Sequence, residues 1–185
     1  MKKRLNLPNS ITIFRILLVI PITILLIKDQ YLWAVLVFLL AAISDVADGF
    51  LARKLNMQTK IGAILDPLAD KILINYTFVI LTTKGYIPLL LFGVILIKDI
   101  ILAVGSSVEV LSVKSISNLK IKASFAGKIS TFFQILVIVF VFLKLFDVYK
   151  NETIFEILIY TTIILSIFAL FSYIHDYQKR NREVF

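Results

Sequence analysis

Long apolar runs separated by short polar stretches fill most of this sequence, and they limit what the chain can fold into. Each run is close to the roughly 20 residues that an α-helix needs to cross a bilayer. Inside lipid the backbone N–H and C=O groups must bond within the protein, which leaves helices or closed barrels as spanning structures. The predicted spans cover residues 11–27, 32–53, 60–83, 86–110, 123–146 and 153–175.

The chain has room for these six spans and little else, because it is 185 residues long and 59% hydrophobic. We therefore predict one all-helical membrane domain over residues 1–185. Met1–Leu7 is basic and weakly apolar, and we expect it to lie at the interface before Pro8 redirects the chain. No small-residue cleavage site follows the first apolar run, so we interpret that run as a retained span rather than a secretory signal.

The distribution of Lys and Arg predicts the orientation of the spans. Twelve of these residues lie at the termini and in the second and fourth connections, whereas four lie in the other connections. The positive-inside rule then places both termini in the cytoplasm, as an even number of spans requires. The net charge of +8 reflects this topology and contact with anionic lipids, so we expect a multi-pass protein of the cytoplasmic membrane and no nucleic-acid partner.

Acidic residues inside the predicted spans are the main functional signal. Asp45 and Asp48 lie near the end of the second span, and Asp66 and Asp70 lie early in the third. Spacings of three and four residues put each pair on one helical face, so two helices joined by a short turn can direct four carboxylates at one point. In a low dielectric such a cluster requires compensating cations, and hard oxygen ligands select Mg²⁺, Mn²⁺ or Ca²⁺.

Metal ions held by these acids would also attract a diphosphate, which predicts phosphoryl-transfer chemistry. The sequence contains no cysteine, so thiolate metal sites and cysteine nucleophiles are excluded. Small residues beside the acids either leave space for a planar ligand or only let helices pack closely, and both interpretations stay open. These small residues are Gly49, Ala52, Gly62, Ala63 and Ala69.

The acids and small residues together match a known pattern. The signature of the CDP-alcohol phosphatidyltransferase family is reproduced at every fixed position by Asp45-Val-Ala-Asp48-Gly49-Phe-Leu-Ala52-Arg53, followed by Gly62, Asp66 and Asp70. Leu7–Arg15 is similar to the amino-terminal segment of bacterial phosphatidylglycerophosphate synthases, and Gly127–Gln134 is similar to their fifth-helix segment. The resemblance covers about residues 7–140.

The resemblance implies an enzyme that transfers a phosphatidyl group from CDP-diacylglycerol to an alcohol and releases CMP. It implies that Asp45, Asp48, Asp66 and Asp70 bind two ions of Mg²⁺ or Mn²⁺, and that Asp70 is also the base that activates the acceptor hydroxyl. In the alternative interpretation, Arg53 is an ordinary positive charge at a helix end that reflects only the membrane topology. The residues implied or considered for CDP binding are Asp45, Asp48, Gly49, Ala52, Arg53, Gly62, Asp66, Asn9 and Thr12.

Recognition of the acceptor needs further residues. Lys98 and Lys128, expected to be buried in the fourth and fifth spans, are candidates for binding an acceptor phosphate, and Arg15 is similarly placed on the first span. In the alternative interpretation Lys98 extends to the interface and Lys128 pairs with Asp99.

We predict glycerol 3-phosphate as the acceptor, ahead of phosphatidylglycerol, which would give cardiolipin, and ahead of inositol phosphate or serine. Phosphatidylglycerophosphate synthases usually carry Gly-Arg-Glu where this chain has Ile97-Lys98-Asp99, and cardiolipin synthases carry an Arg-Asp pair there. The chain keeps the charges but lacks the guanidinium fork. An acid-lined ion transporter and a catalytically silent scaffold are the alternatives from other classes. Membrane lipids are expected contacts, the active site should face the cytoplasm, and homodimerisation is left open.

Overall fold

Six α-helices and no strand are found in the part of the chain that the computed structural model describes, which is residues 7–54, 60–112, 125–149 and 151–182. Side chains are described at 13–44, 68–69, 71–108, 125–149 and 151–178. The helices are α1 (Leu7–Ile27), α2 (Tyr31–Lys54), α3 (Lys60–Thr83), α4 (Leu89–Ser112), α5 (Phe125–Leu145) and α6 (Glu152–Arg182). The predicted all-helical class and the number of helices are confirmed.

Three of these helices are long and apolar enough to cross a membrane. They contain the segments Leu89–Val108, Phe125–Leu145 and Glu152–Gln178. Three such helices make the chain a multi-pass membrane protein. The other three helices carry shorter apolar segments within their described parts, at Ile13–Ile27, Tyr31–Ser44 and Lys71–Thr83, so that their crossing of the membrane stays a prediction.

Helix α1 begins at Leu7, so Pro8 lies in its first turn. Proline is tolerated there because the first backbone N–H groups of a helix have no intrahelical acceptor. The predicted change of chain direction at Pro8 involves residues before the helix and stays a prediction. Residues 1–6 lie outside the described part of the chain, and an interfacial position for Met1–Leu7 stays a prediction.

The turns that follow α1, α3 and α5 share one construction. Each contains a residue with positive φ, namely Asp29 at 57°, Gly85 at 80° and Asp147 at 58°. This left-handed conformation ends a helix and lets a following N–H reach back to an unpaired carbonyl of the last turn. The N–H groups of Gln30, Tyr86 and Val148 donate to the carbonyls of Leu25, Leu81 and Leu143 at 2.9–3.0 Å.

Two compact units make up the chain. The first comprises Met1–Ile80 and Ser106–Leu119. Within it α1 packs against α2, and each helix buries residues three or four positions apart, as an interhelical face requires. These residues are Leu18, Ile22 and Leu26 on α1 and Ala34, Phe38 and Ala41 on α2.

The second unit comprises Leu81–Gly105 and Lys120–Phe185, and in it α5 packs against α6. The turn between these helices is held by an ion pair in which Lys144 Nζ lies 2.6 Å from Glu152 Oε1. Asn151 caps α6, because its Oδ1 accepts the Ile154 N–H at 3.2 Å. Phe155 stacks on the ring of Phe140 beneath this turn, with ring centroids 6.5 Å apart.

Gly105 of α4 lies directly against Tyr173 of α6. A methyl group added at residue 105 would come within 2.1 Å of Tyr173 Oη and within 2.9–3.0 Å of two ring carbons. The missing side chain therefore permits the close approach of α4 and α6. Gly93, on the same helix, has no such neighbour within 4 Å and supplies a matched comparison.

We expect Gly105→Ala to destabilise the protein by about 1–3 kcal/mol, the usual cost of overpacking a tight contact. Gly93→Ala should cause no loss, because alanine favours a helix over glycine by about 1 kcal/mol. Thermal unfolding of the two variants in the same detergent measures the difference. Adding Tyr173→Phe to Gly105→Ala should recover part of the stability, and equal unfolding temperatures for the two alanine variants would contradict the close contact.

Candidate functional site

The four aspartates of the predicted site lie at matching positions on consecutive helices. Counted from the end of α2, Asp48 lies six residues and Asp45 nine residues into the helix. Counted from the start of α3, Asp66 lies six residues and Asp70 ten residues into the helix. At 1.5 Å per residue these positions are about 9 Å and about 14–15 Å from the two helix ends. The backbone therefore places the two pairs at similar depths in their helices.

The side chains of these aspartates lie outside the described set, so the convergence of their carboxylates stays a prediction. The same holds for six further site residues on α1, α2 and α3, which are Asn9, Thr12, Gly49, Ala52, Arg53 and Gly62. Among the described side chains no group of three or more His, Cys, Asp or Glu residues is placed to bind a metal. Ala69, which precedes Asp70 in α3, is fully buried.

Arg15 is almost completely buried in α1, with 1% of its side chain exposed. An unpaired charge at membrane depth costs about 2.5–3.5 kcal/mol even on the most lenient scale. Arg15 accordingly has interaction partners, as do Lys71 and Lys98. The sequence predicts that four cations at or close to membrane depth, Arg15, Lys71, Lys98 and Lys128, need partners, and the first three have them.

Lys98 lies near the middle of the apolar part of α4 and is 1% exposed. Its Nζ is 3.1 Å from Asp99 Oδ1 and donates a hydrogen bond to Ser130 Oγ at 3.0 Å. The expected burial of Lys98 is confirmed, whereas the alternative that Lys98 extends to the interface while Lys128 takes Asp99 is wrong. Burial favours the pairing with Asp99, because the two charges compensate each other where water cannot.

The side chain of Lys128 is exposed, which corrects the expected burial of this residue in the fifth span. The physical reason is its position in the first turn of α5, where a long side chain can extend past the helix end. An exposed ammonium near a helix terminus is accessible to an anion from water or from the lipid headgroup region.

Three polar residues around Lys98 were not identified from the sequence as site residues. Ser130 and Gln134 on α5 and Ser166 on α6 are all fully buried. Ser130 Oγ is 3.0 Å from Ser166 Oγ, and Gln134 Nε2 lies 3.5 Å from Ser130 Oγ. Two signals could have identified them: they are polar residues within apolar helices, where a buried polar group needs a partner, and Ser130 and Gln134 lie in the segment Gly127–Gln134 that resembles the family's fifth helix.

Comparison with protein families gives a match over most of the chain. Residues 5–168 match the family model described as CDP-alcohol phosphatidyltransferase. The matched range includes all four aspartates and the lysines at 98 and 128.

Individual relatives are named CDP-diacylglycerol–glycerol-3-phosphate 3-phosphatidyltransferase. The Aquifex aeolicus protein is 39% identical over 106 residues, which cover 55% of this chain and 58% of the relative. The Escherichia coli protein is 43% identical over 81 residues, covering 42% and 44%. The chloroplastic protein 1 of Oryza sativa is 32% identical over 149 residues, covering 72% and 45%. These matches span about half the length of each relative. By the extent of the family match, the chain belongs to the CDP-alcohol phosphatidyltransferase family.

Proposed function

We propose that this chain transfers a phosphatidyl group from CDP-diacylglycerol to glycerol 3-phosphate, producing phosphatidylglycerol phosphate and CMP in phospholipid biosynthesis. The observation that carries the proposal is the family match over residues 5–168, which contains the complete set of signature residues. The names of the relatives support glycerol 3-phosphate as the acceptor over phosphatidylglycerol, inositol phosphate or serine. The proposal does not depend on whether the protein acts as a single chain or as a homodimer.

The donor site is assigned to the signature residues of α2 and α3. Asp45, Asp48, Asp66 and Asp70 would hold two ions of Mg²⁺ or Mn²⁺, since carboxylate oxygens are the ligands that these hard cations prefer. When bound, the ions supply neutralisation of the diphosphate charge. The remaining signature residues would bind the nucleotide, with Gly49, Ala52 and Gly62 leaving space and Arg53 making polar contact. Asn9 and Thr12 of α1, outside the signature, would add polar contacts.

The reaction itself needs a proton acceptor and a correctly oriented hydroxyl. Asp70 is assigned as the base that takes the proton from the acceptor hydroxyl. The resulting oxygen attacks the β-phosphorus of the donor, and the bond from that phosphorus to the oxygen of CMP breaks. The carboxylate of Asp70 keeps the proton until CMP and the product lipid leave.

The acceptor site is assigned to cations outside the signature. Lys98 and Lys128 would receive the phosphate of glycerol 3-phosphate, and Arg15 is a further candidate. The exposure of Lys128 and the burial of Lys98 support different roles for these two lysines in binding the phosphate. Lys128 attracts the anion, and Lys98 binds it where water is excluded.

The proposed location is the cytoplasmic membrane, with both termini and the active site on the cytoplasmic side. The uneven distribution of Lys and Arg supports this orientation. In this arrangement a water-soluble acceptor reaches the site from the cytoplasm while the donor lipid enters from the bilayer.

Identification of the product lipid tests the proposed function. Purified protein is incubated with CDP-diacylglycerol, Mg²⁺ and one acceptor at a time: glycerol 3-phosphate, phosphatidylglycerol, inositol phosphate or serine. We expect CMP and phosphatidylglycerol phosphate with the first acceptor alone. Release of CMP with another acceptor would reassign the substrate, and CMP release with none of them would contradict the proposal in favour of a transporter or scaffold.

Removal of the acceptor cations gives a quantitative prediction. A hydrogen bond to a charged group contributes about 1.5–3 kcal/mol, so Lys128→Ala should raise KM for glycerol 3-phosphate by roughly ten- to hundredfold. KM for CDP-diacylglycerol should stay within about twofold. Lys28→Ala, which removes an exposed lysine from the turn after α1, is the control.

Lys98 needs a different design, because its removal would take a counter-ion away from the buried Asp99. The double variant Lys98→Met/Asp99→Asn is therefore compared with Asp99→Asn alone. We expect a ten- to hundredfold higher KM for glycerol 3-phosphate in the double variant. Equal losses for the two substrates, or none for the acceptor, would remove the lysine concerned from the acceptor site.

A further inference from the structure

Ser130 occupies the centre of a polar cluster that joins α4, α5 and α6 in the second compact unit. The cluster consists of Lys98, Asp99, Ser130, Gln134 and Ser166, and each of these side chains is at most 3% exposed. Lys98 contributes Nζ at 3.0 Å from Ser130 Oγ, and Ser166 contributes Oγ at the same distance. The serine hydroxyl thus contacts one side chain from each neighbouring helix.

The direction of these hydrogen bonds follows from the chemistry of the groups. An ammonium carries only donors, so Ser130 Oγ accepts from Lys98. Gln134 Nε2, at the long distance of 3.5 Å, is also a donor. Ser130 Oγ and Ser166 Oγ share a hydrogen bond at 3.0 Å in which either hydroxyl can be the donor. Ser166 thereby helps to hold the Ser130 hydroxyl beside Lys98.

Asp99 and Ser130, two of the partners of Lys98, act on its ammonium differently. Asp99 neutralises the ammonium, but it is the next residue on the same helix and does not fix Lys98 relative to α5 or α6. Ser130 belongs to α5 and is neutral, so it fixes the position of Nζ without reducing its charge. An incoming phosphate can replace Asp99 as the anion that neutralises the Lys98 ammonium, while the hydrogen bond from Lys98 to Ser130 persists.

Gln134 adds a second observation that points to a ligand. Its side chain is fully buried, and its Oε1 has no hydrogen-bond partner among the described residues. A buried carbonyl oxygen without a donor is uncommon, because its desolvation is then uncompensated. The cluster therefore offers a fixed cation together with an unused acceptor, which is the pair of groups that a phosphate-bearing polyol can satisfy.

We propose that Ser130 is a positioning residue for acceptor recognition: it holds the Lys98 ammonium so that the site selects a small alcohol carrying a phosphate. The inference rests on the proposed function, in which Lys98 binds the phosphate of glycerol 3-phosphate. Positioning lowers the cost of binding, because the long lysine side chain is already ordered before the acceptor arrives.

The test compares Ser130→Ala with Ser130→Thr in the purified full-length protein. Loss of the hydroxyl should raise KM for glycerol 3-phosphate about tenfold, while kcat and KM for CDP-diacylglycerol stay within about twofold. Threonine keeps a hydroxyl and should restore the parent KM. Thr162→Val is the matched control, because Thr162 is fully buried on α6 and its hydroxyl donates to the Leu158 carbonyl of its own helix.

An unchanged KM for the acceptor in Ser130→Ala would overturn the proposal. So would an equal rise for both substrates, or a change that Thr162→Val reproduces, since each indicates a general effect of a lost buried hydroxyl. Thermal unfolding in detergent shows whether the variants fold, and Ser130→Cys, which replaces the hydroxyl by a thiol that is a weak acceptor, is measured instead if Ser130→Ala does not fold. If Lys98→Met/Asp99→Asn raises KM for the acceptor but Ser130→Ala does not, the positioning role alone fails. If the double variant also keeps the parent KM, the assignment of Lys98 in the proposed function fails with it.

Discussion

Asp70→Asn should lower kcat for phosphatidyl transfer by about 10²–10⁴-fold, the contribution that a positioned general base usually makes. The amide has nearly the same shape as the carboxylate and can coordinate a cation weakly through its oxygen, but it cannot accept the hydroxyl proton. Binding of CDP-diacylglycerol should therefore be largely retained. The measurements are the rate of CMP release at saturating substrates and the Kd of the donor lipid.

Two comparisons make this result specific. Asp147→Asn introduces the same chemical change in the turn after α5, at a left-handed position that asparagine tolerates, and should be neutral. Asp45→Asn changes a residue proposed as a metal ligand and not as the base, and it should weaken donor binding as well as turnover. Activity of Asp70→Asn within about tenfold of the parent would assign the base to another residue.

The helices could be predicted from the sequence because lipid imposes a simple rule on them. Apolar runs near the length of a bilayer must form helices, and all six predicted spans correspond to observed helices. The ends were less predictable where polar residues continue a helix. α6 runs to Arg182, seven residues past the predicted end, because side chains such as Gln178 and Lys179 favour helix without being apolar.

Turn chemistry accounts for another boundary. The fourth span was predicted to start at residue 86, whereas α4 starts at Leu89. The turn that follows α3 delays the start of α4. Gly85 adopts the left-handed conformation there, and the Tyr86 N–H donates to the Leu81 carbonyl. An apolar run does not reveal this, because Tyr86 and Ile87 are apolar enough to continue the pattern.

Only part of the candidate site could be recognised from the sequence. The four aspartates stand out in the sequence because they are costly in lipid and follow helical spacing, whereas the convergence of their carboxylates stays a prediction. The cluster around Lys98 could not be predicted, because Ser130 is 32 residues from Lys98 along the chain and Ser166 is a further 36 residues from Ser130. Which polar residues of three helices meet depends on helix rotation, which a hydrophobic pattern fixes only loosely.

Removal of divalent metal should stop CMP release, with a loss on the order of 10³-fold or more, since the charge stabilisation that a metal supplies to phosphoryl transfer amounts to several kcal/mol. Four carboxylates near a diphosphate repel it unless cations intervene. Chelation should therefore weaken donor binding as well as turnover, which distinguishes it from Asp70→Asn. Adding back Mg²⁺ or Mn²⁺ should restore both.

Direct binding of Mn²⁺, followed by its electron paramagnetic resonance signal, tests the same site without relying on turnover. The parent should bind the ion, and Asp48→Asn should bind it at least about tenfold more weakly, because a neutral amide replaces a charged oxygen ligand. Asp147→Asn again serves as the control with an unchanged Kd. Full turnover after metal stripping in excess chelator would refute the assignment of α2 and α3 as a metal site. Normal Mn²⁺ binding by Asp48→Asn would remove this residue alone from the ligand set, because the other three carboxylates would then suffice to hold the ion.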